Sequence, residues 1–132
     1  MKHSVMLTIA SLLSILLVTF HLSDEIARGM EPGRTNMIIP VFVLAGWLYA
    51  ALALAERRSG YIVLLLGGIL GTGIPIVHMT GAGLVGGRIA VDSPGALFWV
   101  WGNMALAVTS LLSVILAARG LWALGRPHSQ TT

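Results

Sequence analysis

The chain contains no cysteine, and this absence excludes disulfide bonds, thiolate metal ligands and cysteine nucleophiles. Charged residues are also scarce: they make up only 10% of the 132 residues, whereas an ordinary soluble domain has roughly 25%. The formal net charge is +3, but the basic residues are scattered over short loops and termini. We therefore expect no nucleic-acid partner.

Several catalytic signatures are missing as well. The sequence has no nucleophile elbow, no zinc-protease helix motif and no phosphate-binding loop. The glycines from Gly67 to Gly73 lie inside an apolar segment with no strand before it, which excludes a dinucleotide-binding turn. No small-x-small cleavage site follows the first apolar run, so this run predicts a retained helix and not a signal peptide. Catalytic residues therefore stay unknown.

The chain is instead rich in long apolar segments, since 56% of its residues are hydrophobic. Four segments are each near the roughly 20 residues that a helix needs to cross about 30 Å of hydrocarbon. They predict an all-α fold, an integral membrane four-helix bundle with antiparallel up-down topology in a lipid bilayer. The expected single transmembrane domain spans residues 1–132, with helices at about 4–28, 36–56, 60–80 and 94–118 and an outer loop at 80–93.

Serine, glycine and proline residues within the apolar segments indicate how these helices pack. Ser11 and Ser14 belong to a polar stripe on the first helix, which is typical of a helix-helix seam in lipid. Gly67 and Gly71 have the small-xxx-small spacing that permits close approach of another helix. Pro75 removes one backbone hydrogen bond of the third helix and predicts a kink there.

Basic residues predict the orientation, because Lys and Arg near helix ends are retained on the cytoplasmic side. Placing both termini in the cytoplasm puts five of the eight basic residues there. These five are Lys2, Arg57, Arg58, Arg119 and Arg126, against Arg28, Arg34 and Arg88 outside. We expect the protein to lie in the bacterial inner membrane, with Trp99 and Trp101 as an aromatic belt at the outer surface. Gly29 is expected to cap the end of the first helix.

Ionisable side chains gather at the outer end of the first helix. If this helix continues to Arg28, then His21, Asp24, Glu25 and Arg28 share one face, because they are spaced at i, i+3, i+4 and i+7. His78 ends the third helix at the same level. The predicted metal ligands are His21, Asp24, Glu25 and His78, whose nitrogen and oxygen donors suit zinc or another divalent first-row ion. The predicted ligand-binding residues are Arg28, Arg88, Asp92 and Asn103.

Two other interpretations of the same residues stay open. A haem can be held by His21 and His78, but this leaves the two carboxylates unexplained. Alternatively, Asp24 and Glu25 pair with Arg28 as an interfacial network, and each histidine makes an ordinary hydrogen bond. The second interpretation needs no ligand at all.

We predict that the chain is a small polytopic membrane protein and that its outer cluster binds a metal ion or a small ligand. The sequence leaves open whether the protein is an enzyme. The alternative is a non-catalytic subunit of a larger membrane complex, or a homo-oligomer. A small transporter is a more distant alternative. In size and four-helix layout the chain is similar to the small multidrug resistance transporters. That family depends on a membrane-embedded glutamate in its first helix, whereas positions 5–20 contain no acid.

Overall fold

A computed structural model describes residues 2–29, 38–54, 56–80 and 94–126. These residues form four helices and no strand: α1 (Lys2–Ala27), α2 (Ile38–Ala53), α3 (Arg58–Thr80) and α4 (Ala96–Gly125). Gly29 follows α1 with a φ of 67°, the left-handed conformation that favours glycine after a helix. The predicted all-helical fold and the cap at Gly29 are therefore confirmed.

The bounds of α4 differ from the expected range of 94–118. Gly95 has a φ of 77°, so the helix begins at Ala96, two residues later than expected. The helix continues to Gly125, so it runs through Gly120 and ends later than expected. A side chain at Gly120 would overlap the ring of Tyr61 on α3. This glycine therefore allows close helix packing.

Three of the described helices are long and apolar enough to cross a membrane, over His3–Ala27, Arg58–His78 and Ala96–Gly125. The apolar α2 is shorter, with 16 residues. Pro75 lies inside α3, which remains helical to Thr80. The predicted kink stays a prediction.

Polar side chains fill the seam between α1 and α4. The hydroxyl oxygens of Ser11 and Ser113 lie 2.8 Å apart, and Ser14 donates to the hydroxyl of Thr109 over 3.2 Å. Both α1 serines are fully buried. This confirms that the serine stripe of the first helix faces the bundle.

Glycines let α3 approach its neighbours closely. A side chain at Gly71 would overlap Ser110 of α4, and one at Gly67 would overlap the indole of Trp47 on α2. The predicted close contact at both glycines is confirmed. The atoms nearest to both glycines belong to side chains, whereas a side chain at Gly68 would also approach the backbone of Ser110 and Val114.

Contacts between helix ends determine where the candidate site lies. Ser4, near the start of α1, donates to Glu56, just after α2, over 2.8 Å. At the other end of α1, Arg28 donates to the carbonyl of Pro94 over 3.0 Å, and Glu25 contacts His78. The end of α1, the end of α3 and the start of α4 therefore meet at one end of the bundle.

Candidate metal site

Two ligand-type side chains lie one helical turn apart on α1 and point into the bundle. His21 is 8% exposed and Glu25 is 3% exposed, and Nε2 of His21 lies 3.3 Å from Oε1 of Glu25. Neither of these two atoms has a partner with hydrogen-bond geometry among the described residues. A buried carboxylate is expensive unless charge or coordination compensates it, so this position needs an explanation.

His78 completes the group from α3. Its Nε2 lies 2.7 Å from Oε1 of Glu25, and its Nδ1 lies 2.8 Å from the carbonyl oxygen of Ile74. Because a carbonyl oxygen only accepts, Nδ1 carries the hydrogen in this contact. The opposite ring nitrogen, Nε2, is therefore the atom directed at the carboxylate.

The two imidazoles are in direct contact and share an aromatic neighbour. Their ring centroids lie 4.7 Å apart with an interplanar angle of 83°. The ring of Trp99 on α4 lies 6.3 Å from that of His21 and 6.1 Å from that of His78. Trp99 is buried, whereas Trp101 is exposed. The expectation that Trp99 belongs to an outer aromatic belt is therefore wrong, because its ring packs against the histidines.

His21, Glu25 and His78 together can hold a metal ion, since one ligand atom from each lies within 4.8 Å of the others. Two imidazole nitrogens and a carboxylate oxygen form a donor set that zinc and other divalent first-row metals accept. Burial of the group limits competition from water. The group can thus offer three ligand atoms to one ion.

Asp24 and Arg28 do not join this group. Nε of Arg28 donates to Oδ2 of Asp24 over 2.7 Å, and Arg28 also donates to the carbonyl of Pro94. The face predicted to carry all four side chains therefore divides into two neighbouring lines. His21 and Glu25 form the buried line, while Asp24 and Arg28 form a partly buried ion pair that ties α1 to the start of α4.

Asn103 lies beside the group and not within it. The side chain is 1% exposed, and its Nδ2 donates to the carbonyl of Trp99 over 2.9 Å. With His21 and Asp24 it lines a cavity of about 170 Å³ between α1 and α4, whose other walls are apolar or aromatic. The inward direction predicted for Asn103 is confirmed. Arg88 and Asp92 lie outside the described residues.

Trp99 is the neighbour of the histidines that sequence reasoning missed. A tryptophan near a helix end is typical of the membrane interface, and no local pattern distinguishes that role from packing against a site. Comparison with known proteins gives no further guide, because no protein-family model, curated protein or solved structure matches the chain.

Proposed function

We propose that this chain is an integral membrane protein that binds one divalent transition-metal ion, with zinc as the best match, through His21, Glu25 and His78. The observation that carries the proposal is the convergence of three buried ligand atoms within 4.8 Å. These atoms come from two helices that are distant in sequence. Buried groups of this kind are a functional-site hypothesis by default in membrane helices.

The distribution of side chains supports a place in the membrane. Buried positions include many polar residues: Ser11, Ser14, His21, Glu25, Asn103, Ser110 and Ser113. Large apolar residues on all four helices are exposed instead, among them Ile9, Phe42, Leu70 and Val108. Apolar patches of this extent are rare on soluble monomers, whereas lipid accepts them and favours small or polar residues at helix seams.

The helix-end contacts support an antiparallel up-down bundle. Ser4 meets Glu56 at one end, while Glu25 meets His78 at the other. The first end also carries the basic residues Arg57, Arg58, Arg119 and Arg126. By the bias of Lys and Arg towards the cytoplasm, the termini are cytoplasmic and the metal group faces the outer side of a bacterial inner membrane.

The separations of the ligand atoms suit a first-row metal after small side-chain shifts. Zinc bonds of about 2.1 Å in a tetrahedral arrangement place ligand atoms roughly 3.4 Å apart. The contact between His21 and Glu25 is already 3.3 Å, and the contact between His78 and Glu25 must lengthen from 2.7 Å. The largest separation in the group is within 4.8 Å, so binding an ion also requires the ligand atoms to draw together.

The hydrogen bond that His78 makes to a backbone carbonyl is also typical of a metal-binding histidine. Metal-bound histidines usually donate the other ring N–H to a carbonyl or a carboxylate, which holds the ring in place. His78 does this through Nδ1 to Ile74. The hydrogen bond therefore orients Nε2 towards the metal position before an ion binds.

The same geometry argues against haem. A haem with two axial histidines lies between the imidazoles, so the rings stand apart on opposite faces of the porphyrin. Here the ring centroids of His21 and His78 are 4.7 Å apart in an edge-to-face contact. That contact leaves no space for a porphyrin plane.

Metal binding by the purified protein tests the proposal. The protein is loaded with zinc, freed of unbound ion and analysed for bound metal, in parallel with His21→Ala, Glu25→Gln and His78→Ala. We expect one zinc per chain in the unaltered protein and loss of most binding in each variant. Cobalt in place of zinc should give the absorption bands of a four- or five-coordinate site, and these bands should disappear in the variants.

Two matched controls make the result specific. His3→Ala removes a histidine at the opposite end of α1, and Asp24→Asn removes the neighbouring carboxylate that pairs with Arg28. Both should bind zinc normally. Equal zinc binding by all variants, or none by the unaltered protein, would contradict the proposal and favour a structural subunit of a membrane complex.

A further inference from the structure

A second candidate site lies at the opposite end of the bundle from the metal group. A cavity of about 570 Å³ there is lined by His3, Tyr61, Arg119, Gly120, Trp122 and Arg126, with two further apolar residues of α4. His3 precedes His21 by five turns of α1, so roughly 27 Å separate the two sites along the helix axis. The two sites are therefore independent.

The charge of this cavity is of one sign. Arg119 and Arg126 line it, no acidic residue of the described part of the chain does, and neither arginine takes part in the ion pairs formed between described residues. The acid described at this end is Glu56, which accepts a hydrogen bond from Ser4. The cavity therefore presents positive charge to an anion.

Two features hold the walls of the cavity in position. The guanidinium of Arg126 lies 4.1 Å from the centre of the Trp122 ring, a cation–π contact that limits its motion. The buried ring of Tyr61 packs directly on Gly120, where any side chain would overlap it. The cavity is thus part of the packed junction between α3 and α4.

A buried polar atom at this cavity also needs a partner. Nε2 of His3 is inaccessible to solvent and has no hydrogen-bond partner within the described parts of the chain. Buried polar atoms are nearly always satisfied by protein, water or ligand. Because this atom is closed to solvent, an anion in the cavity reaches it only if the imidazole ring turns, and the His3→Gln variant tests that contact.

We propose that this cavity binds the phosphate group of an anion, supplied by the headgroup of an anionic phospholipid or by a soluble phosphate. Arginine forms paired, charge-assisted hydrogen bonds with phosphate oxygens. Basic pockets between membrane helices on the cytoplasmic side suit anionic headgroups, and an exposed tryptophan such as Trp122 is typical of that level of the bilayer.

Binding measurements in two arms test the site with the full chain. In the lipid arm, the protein in nanodiscs or detergent is titrated with phosphatidylglycerol, with phosphatidylcholine as the zwitterionic reference, and native mass spectrometry records bound lipid. In the soluble arm, the protein in detergent is titrated with inorganic phosphate by calorimetry. Preference for phosphatidylglycerol identifies a headgroup, and binding of phosphate identifies a soluble anion. Either result supports the site.

Single substitutions locate the binding. Arg119→Gln and Arg126→Gln should each weaken it about five-fold, the equivalent of ~1 kcal/mol for one basic residue at an anionic surface. Arg57→Gln changes the same charge at the same end of the bundle but does not line the cavity, so it should weaken binding less than about two-fold. Because these arginines are exposed, the variants should fold normally, which unchanged thermal unfolding would verify.

Two results would overturn the proposal: no binding in either arm, or an equal loss in Arg57→Gln and the two cavity variants, which would indicate a general charge effect. His3→Gln should weaken binding as well, and an unchanged affinity there would remove His3 from the site. Zinc binding should be the same in all four variants. Failure of the metal proposal therefore leaves this test intact.

Discussion

Oε1 of Glu25 on α1 lies 2.7 Å from Nε2 of His78 on α3, and both side chains are almost fully enclosed. This contact joins helices that have few other direct contacts, because α1 packs mainly on α4. A carboxylate and an imidazole at this distance are either an ion pair or two metal ligands. Only the second role requires an ion, so zinc binding distinguishes the two.

Zinc binding should weaken as the solution becomes acidic. Zinc needs the imidazoles of His21 and His78 without a proton on Nε2, so protons compete with the metal. Bound zinc should therefore fall as the pH is lowered from about 8 to about 5. Metal analysis after equilibration at each pH measures this. Binding that is constant over the range would argue against histidine ligands.

Zinc should also stabilise the folded protein. An ion that binds only the folded state at 100 times its Kd contributes about 2.7 kcal/mol to the free energy of unfolding. Thermal unfolding in detergent should therefore shift upward on adding zinc, and Glu25→Gln should lose the shift. Asp24→Asn is the matched control, because Asp24 pairs with Arg28 and lies outside the group. A shift of equal size in Glu25→Gln would show that zinc stabilises the protein elsewhere.

Replacing Gly71 by Leu should destabilise the bundle. The new side chain would overlap Ser110 of α4, and overpacking of this kind typically costs about 1–3 kcal/mol. Gly73→Leu is the control on the same helix, since a Cβ atom added there has no atom of another residue in the bundle within 4 Å. Thermal unfolding and oligomer size in detergent are the measurements. Equal stability of the two variants would contradict the seam at Gly71.

The proposed topology can be measured in intact cells, because the chain has no cysteine of its own. Single cysteines at Gly33 and Ala90 should react with a membrane-impermeant reagent before lysis. A cysteine at Arg57 should react only after lysis. The reverse pattern would place the termini outside and would contradict the orientation derived from the basic residues.

The helices and the polar seam of α1 could be predicted because their signals are local. Runs of apolar residues identify helices by length, and the spacing of Ser11 and Ser14 identifies the inward face by helical periodicity. The same periodicity could not separate Asp24 from Glu25. Adjacent positions on a helix differ by about 100° in direction, and the neighbour that each one meets decides between burial and exposure.

The sequence by itself determined an all-helical, apolar chain with ionisable residues at one end of its first helix. It also determined that His21 and Glu25 lie one turn apart, since that relation depends only on helix geometry. Only the tertiary structure decided that His78 and Trp99 meet them. That meeting depends on how far each helix slides and turns against its neighbours. Close contacts such as Gly71 with Ser110 set this register, and this contact lies about two turns from His78 along α3.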